Sequence, residues 1–448
     1  MENKLTSGNI FKTILYFSLP YLLSYFLQTL YGMADLFIIG QFGSVADVTS
    51  VSIGSQVMHM VTVMIVGLAM GSTVAIGRCI GGKNTDTAAK SVGNTIVLFM
   101  GLSIAVTIML VMCVKPIVGL MSTPQEAVIG TEKYLFVCFI GIPFITMYNI
   151  ISSIFRGLGN SKTPMYFIAA ACVANIILDY IFMGIFNLGP IGAALGTTLS
   201  QTISVIIALI TITKKDIGIR LAKKDFIPDR DTLSGIIKVG VPVSLQDGFV
   251  QISFMVITII ANRRGLNDAA AVGIVEKIIG IFFLVPSSML SSVSALAAQN
   301  FGAKKPHRAK LTLKYAVCIA VSFGFIVSVL TQFFAEEIVG IFQNNPEVIL
   351  PGGQYLRSYS WDCMIAGVSF CFSGYFCALE RSGISFMQNV LSIIFVRIPV
   401  AYTMSAMFSD TLFPMGLASP LGSLFSSVIC IIAYSLINRK TSIAKNKL

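Results

Sequence analysis

The sequence predicts an all-α integral membrane protein with twelve transmembrane helices in two pseudo-symmetric six-helix lobes. Three observations predict it. The 448 residues are 55% hydrophobic and only 11% charged, with a mean hydropathy of +0.84; a soluble domain carries about 25% charged residues. The apolar runs continue for ~20–30 residues, which suits helices crossing ~30 Å of hydrocarbon, whereas membrane β-strands alternate apolar and polar side chains over ~10 residues. Finally, landmarks in the first half of the chain recur in the second at a nearly constant offset.

In order, the spans read as 12–40, 48–79, 90–114, 131–155, 163–188, 191–213, 232–261, 270–297, 311–333, 352–379, 386–408 and 414–437. The first is too long for a signal peptide, holds Pro20 and Asp35 and lacks a small-residue cleavage pattern, so it reads as a span. The longest polar interruption is Lys214–Asp231, rich in Lys, Arg and Asp and broken by Pro228. It divides the chain into an N-terminal lobe at 1–213, a cytoplasmic linker at 214–231 and a C-terminal lobe at 232–448. An even number of spans puts both termini on one side, and Lys and Arg choose the side. With the termini and even-numbered connections in the cytoplasm, only Lys115, Lys133, Arg263 and Arg264 fall in or beside opposite loops. Lys277, Arg357 and Arg397 lie inside spans, and Glu336, Glu337 and Glu347 are expected in an outside loop. The net charge of +11 follows from this bias and implies no nucleic-acid partner.

The repeat rests on four landmarks. Pro20 and Pro242 are 222 apart; Gly81 and Gly302 are 221 apart, as are Leu158 and Leu379; Pro190 and Pro414 are 224 apart. Six spans per repeat give both halves the same orientation, so the symmetry axis runs along the membrane normal and rocking of the lobes about a central cavity is the expected mechanism. Pro20 and Pro242 each interrupt a helix interior and are candidate hinges, or passive kinks.

Charge inside the spans carries the functional signal. A carboxylate in a membrane span costs roughly 2.5–3.5 kcal/mol on insertion scales, and such residues face protein or water and mark function. Asp35 and Asp179 are the two aspartates inside the apolar stretches of the first half. Asn175 shares a helix face with Asp179 four residues on, and counting from the loop near Pro190 puts Thr197 at a similar depth. Two carboxylates, an amide oxygen and a hydroxyl are hard oxygen ligands, suited to Na⁺ or to a proton relay; the alternative is that the acids only hold helices together. The second half holds Asp247, Glu276 and Asp362 with Lys277, Arg357 and Arg397. Gln246, Asp247, Gln251, Glu276, Asp362 and Arg397 are candidates for a substrate cavity, or for a structural ion-pair network.

Other chemistry is absent from the sequence. The nine cysteines include no C-x-x-C pair and read as free, small hydrophobes. His59 and His307 are the only histidines, and no catalytic constellation or H-E-x-x-H motif surrounds them. Gly77–Asn84 imitates a phosphate-binding loop but follows a membrane helix and ends in Asn84 where Ser or Thr should stand. No enzyme activity and no cofactor are expected, and transport must run on an ion gradient, Na⁺ or H⁺. An intramembrane enzyme and a receptor without transport are the readings from other classes.

The segments Ala34–Gly40, Phe155–Asn160, Asn175-x-x-x-Asp179, Gly192–Thr197 and Gln299–Ala303 together resemble the multidrug and toxin extrusion (MATE) family of cation-coupled antiporters. The resemblance covers all twelve spans. It implies a pair of six-helix lobes in the cytoplasmic (inner) membrane of a bacterium, acting as a monomer among membrane lipids. It implies export of organic, mostly cationic drugs or toxic metabolites in exchange for Na⁺ or H⁺ by alternating access. It also implies an N-lobe cation site at Asp35, Asn175, Asp179 and Thr197. Some branches carry a span-seven glutamate; this chain has Val250 and Gln251 there, with Asp247 one turn away, which shifts the coupling site to the N-lobe. The alternative within the same superfamily is a lipid-linked oligosaccharide flippase, for which Arg357 and Arg397 speak.

Overall fold

A computed structural model of the chain describes residues 5–214 and 218–445. All regular structure among these residues is helical. The helices are α1 (Ile10–Phe42), α2 (Val45–Gly81), α3 (Thr85–Met112), α4 (Val114–Leu120), α5 (Gln125–Ile140), α6 (Ile142–Gly157), α7 (Lys162–Asp179), α8 (Pro190–Lys214), α9 (Arg230–Asn262), α10 (Leu266–Phe282), α11 (Leu284–Gly302), α12 (Pro306–Gly340), α13 (Pro346–Tyr359), α14 (Trp361–Ala378), α15 (Ser382–Ser392), α16 (Ile398–Met407), α17 (Phe413–Gly416) and α18 (Ala418–Lys445). π-Helical turns follow α7 at Tyr180–Ile185 and α15 at Ile393–Arg397.

Eleven of these stretches are long and apolar enough to cross a membrane, and a twelfth is the pair α5–α6, bent by 48°. The bend falls at Gly141, ahead of Pro143 in the first turn of α6, where proline cannot continue the hydrogen-bond ladder of the preceding helix. Side chains start the helices. Ser44 and Asp47 form a reciprocal capping box at α2, Asn84 accepts from Thr87 N–H at α3 (3.1 Å), and Asn160 accepts from Thr163 N–H at α7 (3.0 Å). The near phosphate-loop and the Phe155–Asn160 segment are therefore helix junctions. One expectation fails: Glu336, Glu337 and Glu347 are not in a loop, and Glu347 lies in the first turn of α13. α12 continues through a break at Phe334 and carries Glu336 and Glu337 on its last turns, so Glu336 pairs with Arg357 at 3.1 Å.

The described residues form two compact units. Among the described residues the first comprises 5–7, 19–214, 218–244 and 298–304, and the second 8–18, 245–297 and 305–445. α1 and α9 run through Pro20 and Pro242 without a break, and the boundary between units falls within two residues of each proline. The first unit is built around Ile38, Val51, Tyr134, Leu135, Cys138 and Ala193. The second is built around Val272, Val275, Tyr355, Leu356, Tyr359 and Ala401. Val51 and Val272, Tyr134 and Tyr355, and Leu135 and Leu356 are each 221 apart, so corresponding positions fill both cores.

Inside the first unit, α2 crosses the end of α11 at two corresponding glycines. A Cβ on Gly81 would strike the carbonyl oxygen of Gln299, and one on Gly302 would strike that of Arg78. Arg78 and Gln299 are themselves 221 apart, so the crossing is its own mirror in the repeat. The linker docks on α3. Asn94 is fully buried; its amide nitrogen donates to the carbonyls of Asp225 and Ile227 (both 3.1 Å), and its oxygen accepts from Asp229 N–H (2.7 Å).

Candidate functional site

In the first unit, Asp35 on α1, Asn175 and Asp179 on α7 and Thr197 on α8 converge. Thr197 Oγ1 donates to Asp35 Oδ2 at 3.3 Å, and the side chains of Asp179 and Asn175 also face the Asp35 carboxyl. Asp35 is 5% exposed, Asn175 1% and Asp179 0%. Asp35 Oδ1, both oxygens of Asp179 and both polar atoms of the Asn175 amide lack a hydrogen-bond partner. Buried polar atoms are ordinarily paired, and a cluster of orphans calls for a physical reason. Four of these five atoms are oxygens facing one small volume, a donor set that fits a hard monovalent cation or a proton held between the acids. Among the described residues no group of three or more His, Cys, Asp or Glu is arranged so that it could hold a metal ion.

Local structure explains the convergence. Asn175 and Asp179 lie one turn apart, and α7 passes into its π-helical turn directly after Asp179; such turns shift the register of a helix and recur at functional sites. Gly196 was not singled out by the sequence reading, yet it completes the site. A Cβ there would collide with Asp179 Oδ1, so the carboxylate lies against bare backbone of α8. Tyr31, Tyr134 and Cys172 border Asp35. The available signal for Gly196 was its place in the Gly192–Thr197 segment, which does not say what the glycine touches.

The second unit holds a different cluster. Arg397 ends the second π-helical turn. Its guanidinium donates to Tyr359 Oη at 2.9 Å and lies 4.6 Å from the centroid of the Phe254 ring. Glu276 from α10 and Asp362 from α14 are both among its electrostatic neighbours. Thr258 Oγ1 lies 3.4 Å from Glu276 Oε2, and Ser423 lies beside Asp362. Glu276 Oε1, Asp362 Oδ1 and Arg397 Nε remain without partners.

The other candidates lie elsewhere. Gln246 Oε1 accepts from Ser385 Oγ at 2.6 Å, tying α9 to α15. Asp247 neighbours Cys377 rather than Arg397, and Gln251 makes no side-chain hydrogen bond with the cluster. Arg357 is held by Glu336 (3.1 Å) and by the carbonyl of Gln332 (3.2 Å), and Lys277 is exposed. Of six candidate cavity residues, the structure thus brings together Glu276, Asp362 and Arg397.

The family model MatE matches the chain twice, over residues 20–181 and 242–403. The chain belongs to the MatE family. Members of this family are transporters and not enzymes, and the chain is a multi-pass membrane protein. It is 28% identical over 432 residues to the probable multidrug resistance protein YpnP of Bacillus subtilis (strain 168), covering 96% of each chain. It is 25% identical to the multidrug export protein MepA of Staphylococcus saprophyticus, covering 96% of this chain and 94% of that one. Its fold matches a solved structure described as the outward-facing conformation of a multidrug resistance MATE family transporter of the MOP superfamily. There the TM-score is 0.91 at 22% identity, covering 99% of this chain and 98% of that one. A MATE crystal structure in complex with MaL6 gives a TM-score of 0.90 at 21% identity, with 99% of both chains covered.

The two MatE matches start 222 residues apart, at 20 and 242, and end 222 apart, at 181 and 403. In this register Arg397 stands where Asn175 stands in the first half. Asp35 corresponds to Ile257 and Asp179 to Ala401, both in the apolar core of the second unit. The second cluster is therefore not a copy of the first, and its acids come from other helices.

Proposed function

We propose that this MatE chain is an antiporter that exports organic, mostly cationic drugs or toxic metabolites across the bacterial cytoplasmic membrane, driven by Na⁺ or H⁺. The observation that carries the reading is the buried pair Asp35 and Asp179, three of whose four carboxyl oxygens lack a hydrogen-bond partner, with Asn175 and Thr197 beside it. The printed names of YpnP and MepA speak for drug export.

The chemistry is electrostatic. Two carboxylates held together away from water repel each other, and each loses hydration. A bound cation or a shared proton removes the repulsion. Asp35, Asn175, Asp179 and Thr197 would supply the oxygens for Na⁺, and no step needs an organic cofactor. Occupancy would then favour one packing of α1, α7 and α8, and vacancy another. Cation entry along an inward-negative potential supplies about 2.3 kcal/mol per charge per 100 mV. Alternating access by rocking of the two halves, with Pro20 and Pro242 as hinges, would convert that occupancy into export. The protein would act as a monomer among lipids, and the Lys and Arg distribution favours both termini in the cytoplasm.

The flippase alternative is not favoured. It needs free cationic side chains for phosphates, whereas Arg357 is paired with Glu336 and Arg397 is flanked by two acids. The deciding experiment is efflux of a fluorescent organic cation from proteoliposomes with Na⁺ and pH gradients imposed separately. Export that follows neither gradient would reject the proposal.

A further inference from the structure

We propose that Arg397 sets the charge of the cargo: with Glu276 and Asp362 it forms a recognition site in the second half for one singly charged organic cation, and its tethered guanidinium excludes dications. This rests on the reading of the chain as an exporter of organic cations.

Glu276 on α10 and Asp362 on α14 are both electrostatic neighbours of Arg397. Two carboxyl groups neighbour a single guanidinium, so it can neutralise at most one of them. Each acid keeps an orphaned buried oxygen, Glu276 Oε1 and Asp362 Oδ1, which can accept from an ammonium group or face a quaternary one by charge alone. Glu276 and Arg397 are partly exposed while Asp362 is 3% exposed.

The guanidinium is fixed in place. It is tied to Tyr359 Oη at 2.9 Å and stacked on Phe254 at 4.6 Å, an arrangement that holds a planar cation well. A second positive charge on the cargo would approach this fixed charge in a medium of low dielectric. Without the guanidinium, both carboxylates and the face of Phe254 become available to cargo, and the cluster suits two positive charges. The register of the repeat sharpens the contrast. The first half has a neutral amide, Asn175, at the corresponding position and leaves its acid pair for an exchangeable cation.

The test uses the full chain in lipid nanodiscs and two radiolabelled probes, tetraphenylphosphonium as monocation and methyl viologen as dication. Emission of Trp361, the single tryptophan and the neighbour of Asp362 in α14, is a second readout. The wild type should bind the monocation in preference to the dication. Arg397→Gln should shift the ratio of the two dissociation constants toward the dication by roughly tenfold or more, and Arg397→Lys should keep the wild-type ratio. Asp362→Asn should weaken monocation binding by about tenfold without gaining the dication; it carries the test if Arg397→Gln fails to insert. An unchanged ratio in folded Arg397→Gln, or unchanged binding in Asp362→Asn, overturns the proposal. Wild-type protein that neither binds nor exports tetraphenylphosphonium refutes the export reading instead.

Discussion

At the residue scale, the orphaned oxygens of Asp35 and Asp179 predict what substitution does. Asp35→Asn and Asp179→Asn remove the mutual repulsion and should leave the protein folded and inserted. Efflux in proteoliposomes should lose its dependence on the imposed Na⁺ or pH gradient. Wild-type rates with wild-type gradient dependence in both variants would show that the site lies elsewhere. Gly196→Ala makes a sharper steric prediction. The added methyl must displace Asp179 Oδ1, and forced repacking of this kind costs roughly 1–3 kcal/mol. A lowered melting temperature together with impaired coupling is expected, and an unaltered melting curve would argue against the close approach. Sequence reasoning found Asn175 and Asp179 through their one-turn spacing and Thr197 by counting depth. It missed Gly196 because a close approach between two helices leaves no mark in either of them.

At the element scale, the linker is held on α3 by few residues. Asn94→Ala removes three hydrogen bonds to linker backbone, and buried carbonyls left unpaired cost about 1–3 kcal/mol each. Limited proteolysis with trypsin should then cut faster at Lys223 and Lys224. Asp229 adds a pH term. The ammonium of Lys90 at 2.8 Å, and the hydroxyl and N–H of Thr232, hold its carboxyl down at about 2, from an ordinary 3.8. A depressed value stabilises the docked linker above pH ~4, and this contribution disappears as pH falls through about 2. The melting difference between wild type and Asp229→Asn should be constant above that window and vanish below it. It should also shrink in high salt, because the group is exposed. The second-half charges show where element-level reading runs out. Counting along a helix gives the height of Asp247 but not the direction its side chain takes around the axis, and it neighbours Cys377 instead of Arg397. Glu336 was expected in a loop because the apolar run ends before it; α12 continues regardless and delivers it to Arg357.

At the scale of the whole molecule, the positive-inside bias predicts both termini in the cytoplasm. Reporter fusions at either end should be active only for a cytoplasmic location, and an outside terminus would reject the assigned orientation. What the sequence determined by itself is the class, the twelve spans and the repeat. These depend on apolar run length and on landmarks along one dimension, and the MatE matches at a single 222-residue offset carry the same periodicity. What only the tertiary structure decided is which polar groups meet. Asp35 and Thr197 are 162 residues apart yet bonded, and Arg397 stands in register with Asn175 among entirely different neighbours. The reason is physical: span length and depth are properties of a single helix. The partners of a buried charge depend on the rotation and close approach of several helices, which bare backbone at Gly196 and the π-helical turns after α7 and α15 set only once the chain has folded.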